Sequence, residues 1–490
     1  MTTLESLAQA IDNASDAGDE KQLRQLSLEC EQRIETAEGE DRVHLLYYRA
    51  NTYAGIISSR QHDDSYKWDW EQLDGVQNIL LLRRAIKEPA FKSVNPVYQC
   101  QIRTNLASRL NDLGRPLAAN EQWLETLATI PRFAKALAGR AKAISFYTSF
   151  LYDTGHQACL LDAAKSMFDD ALQDGIWESG DRATYESDLT KEREQIEAYL
   201  IQVAYDGSFD LNQWSLGRSK AERSYRHWCL SQRLFINPLN DIYTESIAAT
   251  DVLHLPDHTY EIAETPRFPA YFNLLKQEYV SARYRLYRAT HEDDPGFLMR
   301  DVRMLDSGEN QVLGHYVEEL RSAFGSAYAI FDKIGLFLND YYRIGLDPKK
   351  VSFRRVWFEK KDQLRPIFRD HPNWSLRGLY FLSKDLFDES FSDVAEPDAN
   401  DLAQLRHQLE HRFVSFQQIQ NGANTETHRL MQIDDFEKKT LRLLRMVREA
   451  LIYLSLAMHR EEFLRKQETK DKGGITGVFA PWPIEAFRRL

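Results

Sequence analysis

Apolar residues recur at three- and four-residue spacing from Leu4 to about residue 203, which places them on one face of successive α-helices. β-Branched runs that would favour strands are scarce in the same stretch. The whole chain of 490 residues has only 22 glycines and 15 prolines, too few for the many tight turns of an all-β fold. The sequence therefore predicts an all-α protein.

Residues 102–131 predict a pair of packed helices. Small residues at Ala107 and Ala119 allow two helices to approach closely, Trp123 fills the groove between them, and Pro131 ends the second helix. This pattern resembles a tetratricopeptide repeat, and weaker copies flank it. Stacked hairpins of this kind bury their apolar faces against one another and bind partner proteins. An irregular helical domain without repeats is the alternative.

The C-terminal portion predicts a four-helix bundle, because four amphipathic segments follow one another with connections that suit an up-down arrangement. The third segment begins after "EPDAND", which offers helix start signals, and the fourth is a long helix that ends in basic residues. The predicted domains are a repeat region at 1–205, a connecting region at 206–312, the bundle at 313–470 and a tail at 471–490.

Charge and cysteine usage limit the class of function. The net charge of −12 argues against a coat of non-specific nucleic-acid binding, so any such contact must be confined to a site. The four scattered cysteines form no CxxC pair, which favours reduced thiols over disulfides or a zinc ribbon. With neither a signal peptide nor a membrane-spanning run apparent, we expect a cytoplasmic protein without membrane contact.

The stretch "QLRHQLEHRF", residues 404–413, carries the chemistry-bearing side chains. His407 and His411 are four residues apart and share one helix face, whereas Arg406 and His411 are roughly 140° apart around the helix. A solvated charged face would explain the pattern. A metal site is a second interpretation, but no third ligand stands at a matching spacing and no HExxH order is present, so we expect no bound metal.

The third interpretation is a resemblance. The pattern from Arg406 to His411 is similar to the R-x4-6-H motif of HEPN-domain ribonucleases, near the start of the third helix of a four-helix bundle. The segments "AYAIFDKIGLFLNDYY", "FRRVWF", "LRGLYFLSKDLF" and "LRHQLEHRF" follow the order and spacing of one HEPN subfamily that has a repeat-like helical region in front. The resemblance covers roughly residues 210–470. Many members of the family have asparagine at the position of His407.

This resemblance implies an endoribonuclease that needs neither metal nor other cofactor and acts as a homodimer with one composite cleft. The RNA 2′-hydroxyl attacks the neighbouring phosphorus, leaving a 2′,3′-cyclic phosphate and a 5′-hydroxyl. As a histidine, His411 suits proton transfer. Arg406 stays charged and suits stabilisation of the phosphorane. His407 is expected to orient the phosphate or to assist a proton transfer.

Further residues are predicted around these three. Asp332 and Asn339, on the first bundle helix, are expected to support Arg406 or His411, although Asp332 could instead pair with Lys333 or be solvated. The fourth helix carries an arginine every three residues, a row that lines an RNA path or forms a solvated edge: Arg442, Arg445 and Arg448.

Two functions follow. In the first, the chain is a ribonuclease of a toxin or antiphage defence type, and its repeat region binds a trigger or a protein inhibitor. In the second, the bundle is a catalytically silent HEPN module in an interaction scaffold or regulator. The presence of both Arg406 and His411 favours the first.

Overall fold

The computed structural model describes residues 3–60, 63–178, 181–205, 207, 210–256, 258–260, 267–305, 310–360, 363–387, 399–419, 424–468 and 475–477. Sixteen α-helices and three two-stranded sheets occur within these ranges, which confirms the predicted all-α class. None of the described helices is both long and apolar enough to cross a membrane. Apart from 475–477, the predicted tail at 471–490 lies outside the described residues.

The chain divides into two compact units that are not contiguous in sequence. The first unit contains residues 1–209 and 358–400, and the second contains 210–357 and 401–490. This division differs from the predicted one, in which residues 313–470 formed a single bundle. Residues 358–400 leave the predicted bundle because they make their contacts with the N-terminal helices.

The first unit consists of consecutive helices that pack on their neighbours in the chain, together with a short hairpin and one helix from the later segment. Its elements are α1 (Leu4–Asp16), α2 (Glu20–Ile34), α3 (Gly39–Ser59), α4 (Asp64–Trp68), α5 (Leu73–Lys87), α6 (Pro96–Asp112), α7 (Pro116–Thr129), α8 (Ala134–Thr148), α9 (Thr154–Asp174), α10 (Asp181–Gln202), α14 (Trp374–Phe387), β2 (Phe358–Lys360) and β3 (Gln363–Leu364).

Helices α6 and α7 are the hairpin that the sequence predicts at residues 102–131. The Asn95 side chain caps the start of α6 by accepting a hydrogen bond from the Val97 amide at 2.9 Å. Gly114 forms the turn at φ +89°, where a side chain would also collide with the Trp374 carbonyl. Trp123 is buried as predicted. Stacked helical hairpins thus form the first unit.

Helix α14 lies inside the range predicted as the bundle, 313–470, but it packs in the first unit instead. Nearly all of its side chains are buried, so the helix needs packing on several sides. The indole of Trp374 donates a hydrogen bond to the Asn111 carbonyl at 3.0 Å. At the other end of the helix, Asp385 pairs with Arg83 at 2.6 Å and also with Arg115. These contacts fix α14 on α5 and α6.

The second unit is built around three long helices, since α12 and α13 pack on each other and on α16. Helix α12, which the sequence placed in the connecting region at 206–312, is therefore a packing partner of both α13 and α16. The elements of the second unit are α11 (Lys220–Ser231), α12 (Arg267–His291), α13 (His315–Tyr341), α15 (Ala399–His411), α16 (Ile433–Glu468), β1 (His258–Tyr260), β4 (Phe413–Gln417), β5 (His428–Gln432) and β6 (Ile475–Gly477).

Helix α15 ends at His411, and the chain continues directly into β4. Strand β4 pairs with β5 in parallel and forms an antiparallel bridge from Gln417 to Gln311. The helix therefore ends before Phe413, which is 77% exposed, whereas Phe416 is buried as part of β4.

Candidate active site

The candidate site lies on α15 and on the facing part of α13. Arg406, His407 and His411 occupy the last two turns of α15. The Arg406 side chain is 35% exposed, and the His411 side chain is 61% exposed. The guanidinium is therefore partly enclosed by protein, while the imidazole is open to a ligand from solvent.

Three groups hold the Arg406 guanidinium. Its Nη1 donates to Asp332 Oδ2 on α13 at 3.3 Å, and its Nε donates to Glu410 Oε1 at 3.1 Å. The guanidinium carbon also lies 4.9 Å from the ring centroid of Tyr328, in cation–π geometry. Two carboxylates and one aromatic face thus set the orientation of this arginine.

Tyr328 and Asp332 are four residues apart, so both project from one face of α13. Tyr328 is buried, and burial together with the neighbouring Asp332 and Glu410 carboxylates raises the pKa of its phenol, against the opposing effect of Arg406. The phenol stays neutral at physiological pH. It therefore gives Arg406 an apolar surface to stack on and adds no charge of its own.

The two histidines lie side by side at the end of α15. The ring centroids of His407 and His411 are 4.9 Å apart, with a tilt of 59° between the rings. His411 Nε2 is 3.8 Å from Glu410 Oε2, so one carboxylate faces both Arg406 and His411. No cluster of three or more metal-ligating side chains was found among the residues that the structure describes. The arrangement offers a fixed cation beside a titratable base, which suits proton transfer at a phosphate.

Asp332 lies where the sequence predicts it, in contact with Arg406, and its neighbour Lys333 pairs with Glu278 instead. Asn339 has a structural role. Its side chain donates to the Leu346 carbonyl at 3.2 Å and accepts from the Leu346 amide at 3.0 Å, which closes the turn after α13. Asn339 is two helical turns from Asp332, and its side-chain amide bonds to the Leu346 backbone.

The predicted arginine row on α16 does not form one RNA-facing surface. Arg448 is only 3% exposed, donates to Asp241 at 2.6 Å and donates to the Asn237 carbonyl at 2.9 Å. Arg445 donates to the side chain of Gln232 at 2.8 Å. These two guanidinium groups hold residues 232–241 against α16, so Arg448 is buried away from any RNA. A role for Arg442 in RNA binding stays a prediction.

Sequence reasoning did not assign Tyr328 or Glu410 to the site. A signal for Tyr328 was present, because an aromatic residue four positions before Asp332 must share its helix face. Glu410 is likewise four positions after Arg406, the spacing of an ion pair within a helix. Which of the many such pairs belong to a site depends on the packing of α15 near α13.

Comparison with known proteins gives one match. Residues 259–461 match the family model described as LA2681-like HEPN. The matched range contains α13, α15 and most of α16, with every residue of the candidate site. No curated protein and no solved structure matches the chain.

Proposed function

Because residues 259–461 of this chain belong to the HEPN family, we propose that the chain is a metal-independent endoribonuclease with Arg406 and His411 at its centre. A HEPN domain by itself indicates an RNA-related function. Cleavage of the RNA is the more specific activity that we propose. It is supported chiefly by the guanidinium of Arg406, which Asp332 and Tyr328 hold beside the exposed His411.

The proposed reaction is a transesterification within the RNA. The 2′-oxygen forms a bond to the adjacent phosphorus as its proton passes to a neutral His411, and the bond to the 5′-oxygen breaks as that oxygen takes up a proton. Arg406 donates two parallel hydrogen bonds to the phosphoryl oxygens as their negative charge increases. The products are a 2′,3′-cyclic phosphate and a 5′-hydroxyl, and the proton for the leaving 5′-oxygen comes from a second, protonated group on the other side of the phosphorus.

We further propose that two copies of the chain form one cleft. A single His411 cannot serve as base and as acid on opposite sides of the phosphorus at once. A two-fold dimer provides a second His411 and a second Arg406 across the symmetry axis. The exposure of His411 at the end of α15 is compatible with a partner's approach. Cleavage per mole of protein should then fall when the protein is diluted below its dimer dissociation constant.

Replacing Arg406 tests the proposal and separates charge from geometry. Arg406→Ala should lower kcat by about 10²–10³, the loss typical of removing one transition-state donor. Arg406→Lys keeps the charge but loses the paired donors and the flat surface that stacks on Tyr328, so most of the loss should remain. Single-turnover cleavage of a labelled RNA measures both. Unchanged RNA affinity and unchanged RNA integrity across the series would favour the silent scaffold instead.

Glu410 places a negative charge where the substrate phosphate must approach Arg406. We expect Glu410→Gln to tighten RNA binding roughly fivefold at low salt, because a like charge at about 4 Å in water costs about 1 kcal/mol. Binding should be measured by fluorescence anisotropy in a His411→Ala background, where no cleavage intervenes. Glu426→Gln, an exposed change outside the helices, is the matched control. Weaker binding by the Glu410 variant would contradict a repulsive role.

We also propose that the chain acts as a toxin or defence effector whose first unit senses a trigger or an inhibitor. Stacked helical hairpins present the kind of surface on which protein partners dock, which supports this assignment. Expression of the wild-type chain beside His411→Ala in the same cells tests it. Growth arrest that depends on His411 is expected, and equal growth of the two strains under every condition tried would contradict the toxin role.

A further inference from the structure

Residues 349–355, "KKVSFRR", form a short basic segment after α13, which we call the basic segment. Lys349, Lys350, Arg354 and Arg355 are all exposed. The segment carries four positive charges and no acidic residue, in a chain whose net charge is −12. The structure has a 3₁₀ turn at Pro348–Lys350 followed by further turns.

The basic segment is anchored on α13 by its one aromatic residue. Phe353 is fully buried, and its ring stacks on that of Phe331 with centroids 5.3 Å apart. Gly335 permits this contact, because a Cβ there would lie 2.9 Å from the Ser352 carbonyl carbon and 3.0 Å from the Phe353 amide nitrogen. The backbone of the segment thus rests directly on the helix, while the charged side chains on both sides of Phe353 are exposed to solvent.

One carboxylate joins the basic segment to the candidate active site. Asp332 Oδ1 accepts a hydrogen bond from the Phe353 amide at 3.4 Å, and Asp332 Oδ2 accepts one from Arg406 at 3.3 Å. The Phe353 amide, in the middle of the basic segment, and the guanidinium of Arg406 therefore bind the same Asp332 carboxylate. A phosphate bound at Arg406 therefore lies near the backbone of the basic segment.

Local hydrogen bonds give the basic segment a defined shape. The Asp347 side chain accepts from the Lys349 amide at 3.1 Å, and the Ser352 hydroxyl accepts from the Arg355 amide at 3.2 Å. The Val356 amide donates to the Ser352 carbonyl at 3.2 Å. Cations on a pre-shaped backbone lose less conformational entropy on binding than the same cations on a free loop.

We propose that the basic segment binds the phosphodiester backbone of RNA next to the phosphate that Arg406 and His411 cleave. This inference rests on the proposed ribonuclease function and extends it, because it assigns the contact with flanking nucleotides to residues outside the R-x4-6-H motif. Binding is by charge and is independent of base sequence. The basic segment is thus an alternative to the arginine row on α16, which was predicted to line an RNA path but in which Arg448 is buried.

The test replaces three of the four cations with glutamine: Lys349, Lys350 and Arg355. RNA affinity is measured by fluorescence anisotropy over a series of salt concentrations in the His411→Ala background. For single strands the slope of log K against log salt changes by about 0.7 per phosphate contact, so the slope should become shallower by about 2. RNAs of unrelated sequence should lose affinity by a similar factor.

A second triple variant controls for the change in net charge. Arg218, Lys220 and Arg223 are three exposed cations at the start of α11, and their replacement by glutamine changes the charge of the chain equally. This control should keep the wild-type slope. If both triple variants share one slope, the inference is wrong, whatever that slope is.

Cleavage by the chain with His411 intact separates this inference from the proposed function. If the chain cleaves RNA and the basic-segment variant has the wild-type slope, only the basic segment is refuted. If the chain neither binds nor cleaves RNA, both proposals fail together. A shallower slope with slower cleavage at low RNA concentration supports both.

Discussion

Replacing His411 with alanine is expected to abolish detectable cleavage of RNA, with a loss of about 10²–10⁴ in rate from the missing proton transfer. If one imidazole serves on each side of the phosphorus in a dimer, the substitution removes both, and the loss lies at the upper end. The assay uses purified full-length chain with EDTA and a mixed pool of cellular RNA. Wild-type protein should leave 2′,3′-cyclic phosphate ends under these conditions.

His227→Ala is the matched control for this result. His227 is an exposed histidine on α11 in the same unit, so its removal changes the surface in a similar way without touching α13 or α15. A matched DNA, which has no 2′-hydroxyl, should remain intact with every variant. Cleavage of RNA that survives His411→Ala would contradict the site assignment, and the end of α15 would then be an ordinary exposed helix face.

Asp385→Asn is expected to cause the largest loss of stability, because it removes the negative charge with which two buried arginines pair. Asp385 is only 2% exposed, and it accepts from Arg83 at 2.6 and 3.0 Å and also from Arg115. Removing one partner of a buried ion pair costs about 3–5 kcal/mol in the free energy of unfolding. Asparagine keeps the volume of the side chain, so the loss reports the charge and its hydrogen bonds.

Hydrogen exchange in urea measures this effect, read from peptides that cover α5 and α14. A chain with two units need not unfold in one transition, so a local probe is required. Asp174→Asn is the control, because Asp174 pairs with Arg132 at an exposed position and should cost less than about 1 kcal/mol. Equal protection of α14 in wild type and in the Asp385 variant would mean that the ion pairs do not hold this helix.

The same residue predicts a pH dependence of stability. Burial by itself would raise the pKa of Asp385, but Arg83 and Arg115 outweigh burial and lower the pKa from 3.8 to about 2. A carboxyl whose pKa is lower in the folded state contributes stability above its unfolded pKa and loses it as the pH falls. The difference in unfolding free energy between wild type and Asp385→Asn should therefore shrink between about pH 4 and pH 2.

Features that depend on local sequence were predictable. Helical periodicity identified the all-α class, and the small residues and turn at residues 102–131 identified the α6–α7 hairpin. The spacing of Arg406 and His411 indicated the HEPN motif, and residues 259–461 match that family. These signals succeed because helix faces and turns are decided by residues only a few positions apart.

Features that depend on distant partners were not predictable. The sequence of α14 predicts a helix but not the unit that buries it. Ion pairs from Asp385 to residues about 270 and 300 positions earlier hold the helix in the first unit. From the sequence, Arg448 is expected to be a surface cation. In the structure it is bonded to Asp241 and to the backbone carbonyls of residues 235 and 237.

The same holds within the active site. The sequence by itself determined which side chains α15 carries and their order along the helix. Only the tertiary structure decided that Tyr328 and Asp332 hold Arg406, and that the basic segment rests on α13 beside Asp332. The physical reason is that such contacts join elements far apart in the chain, whose pairing depends on how whole helix faces pack.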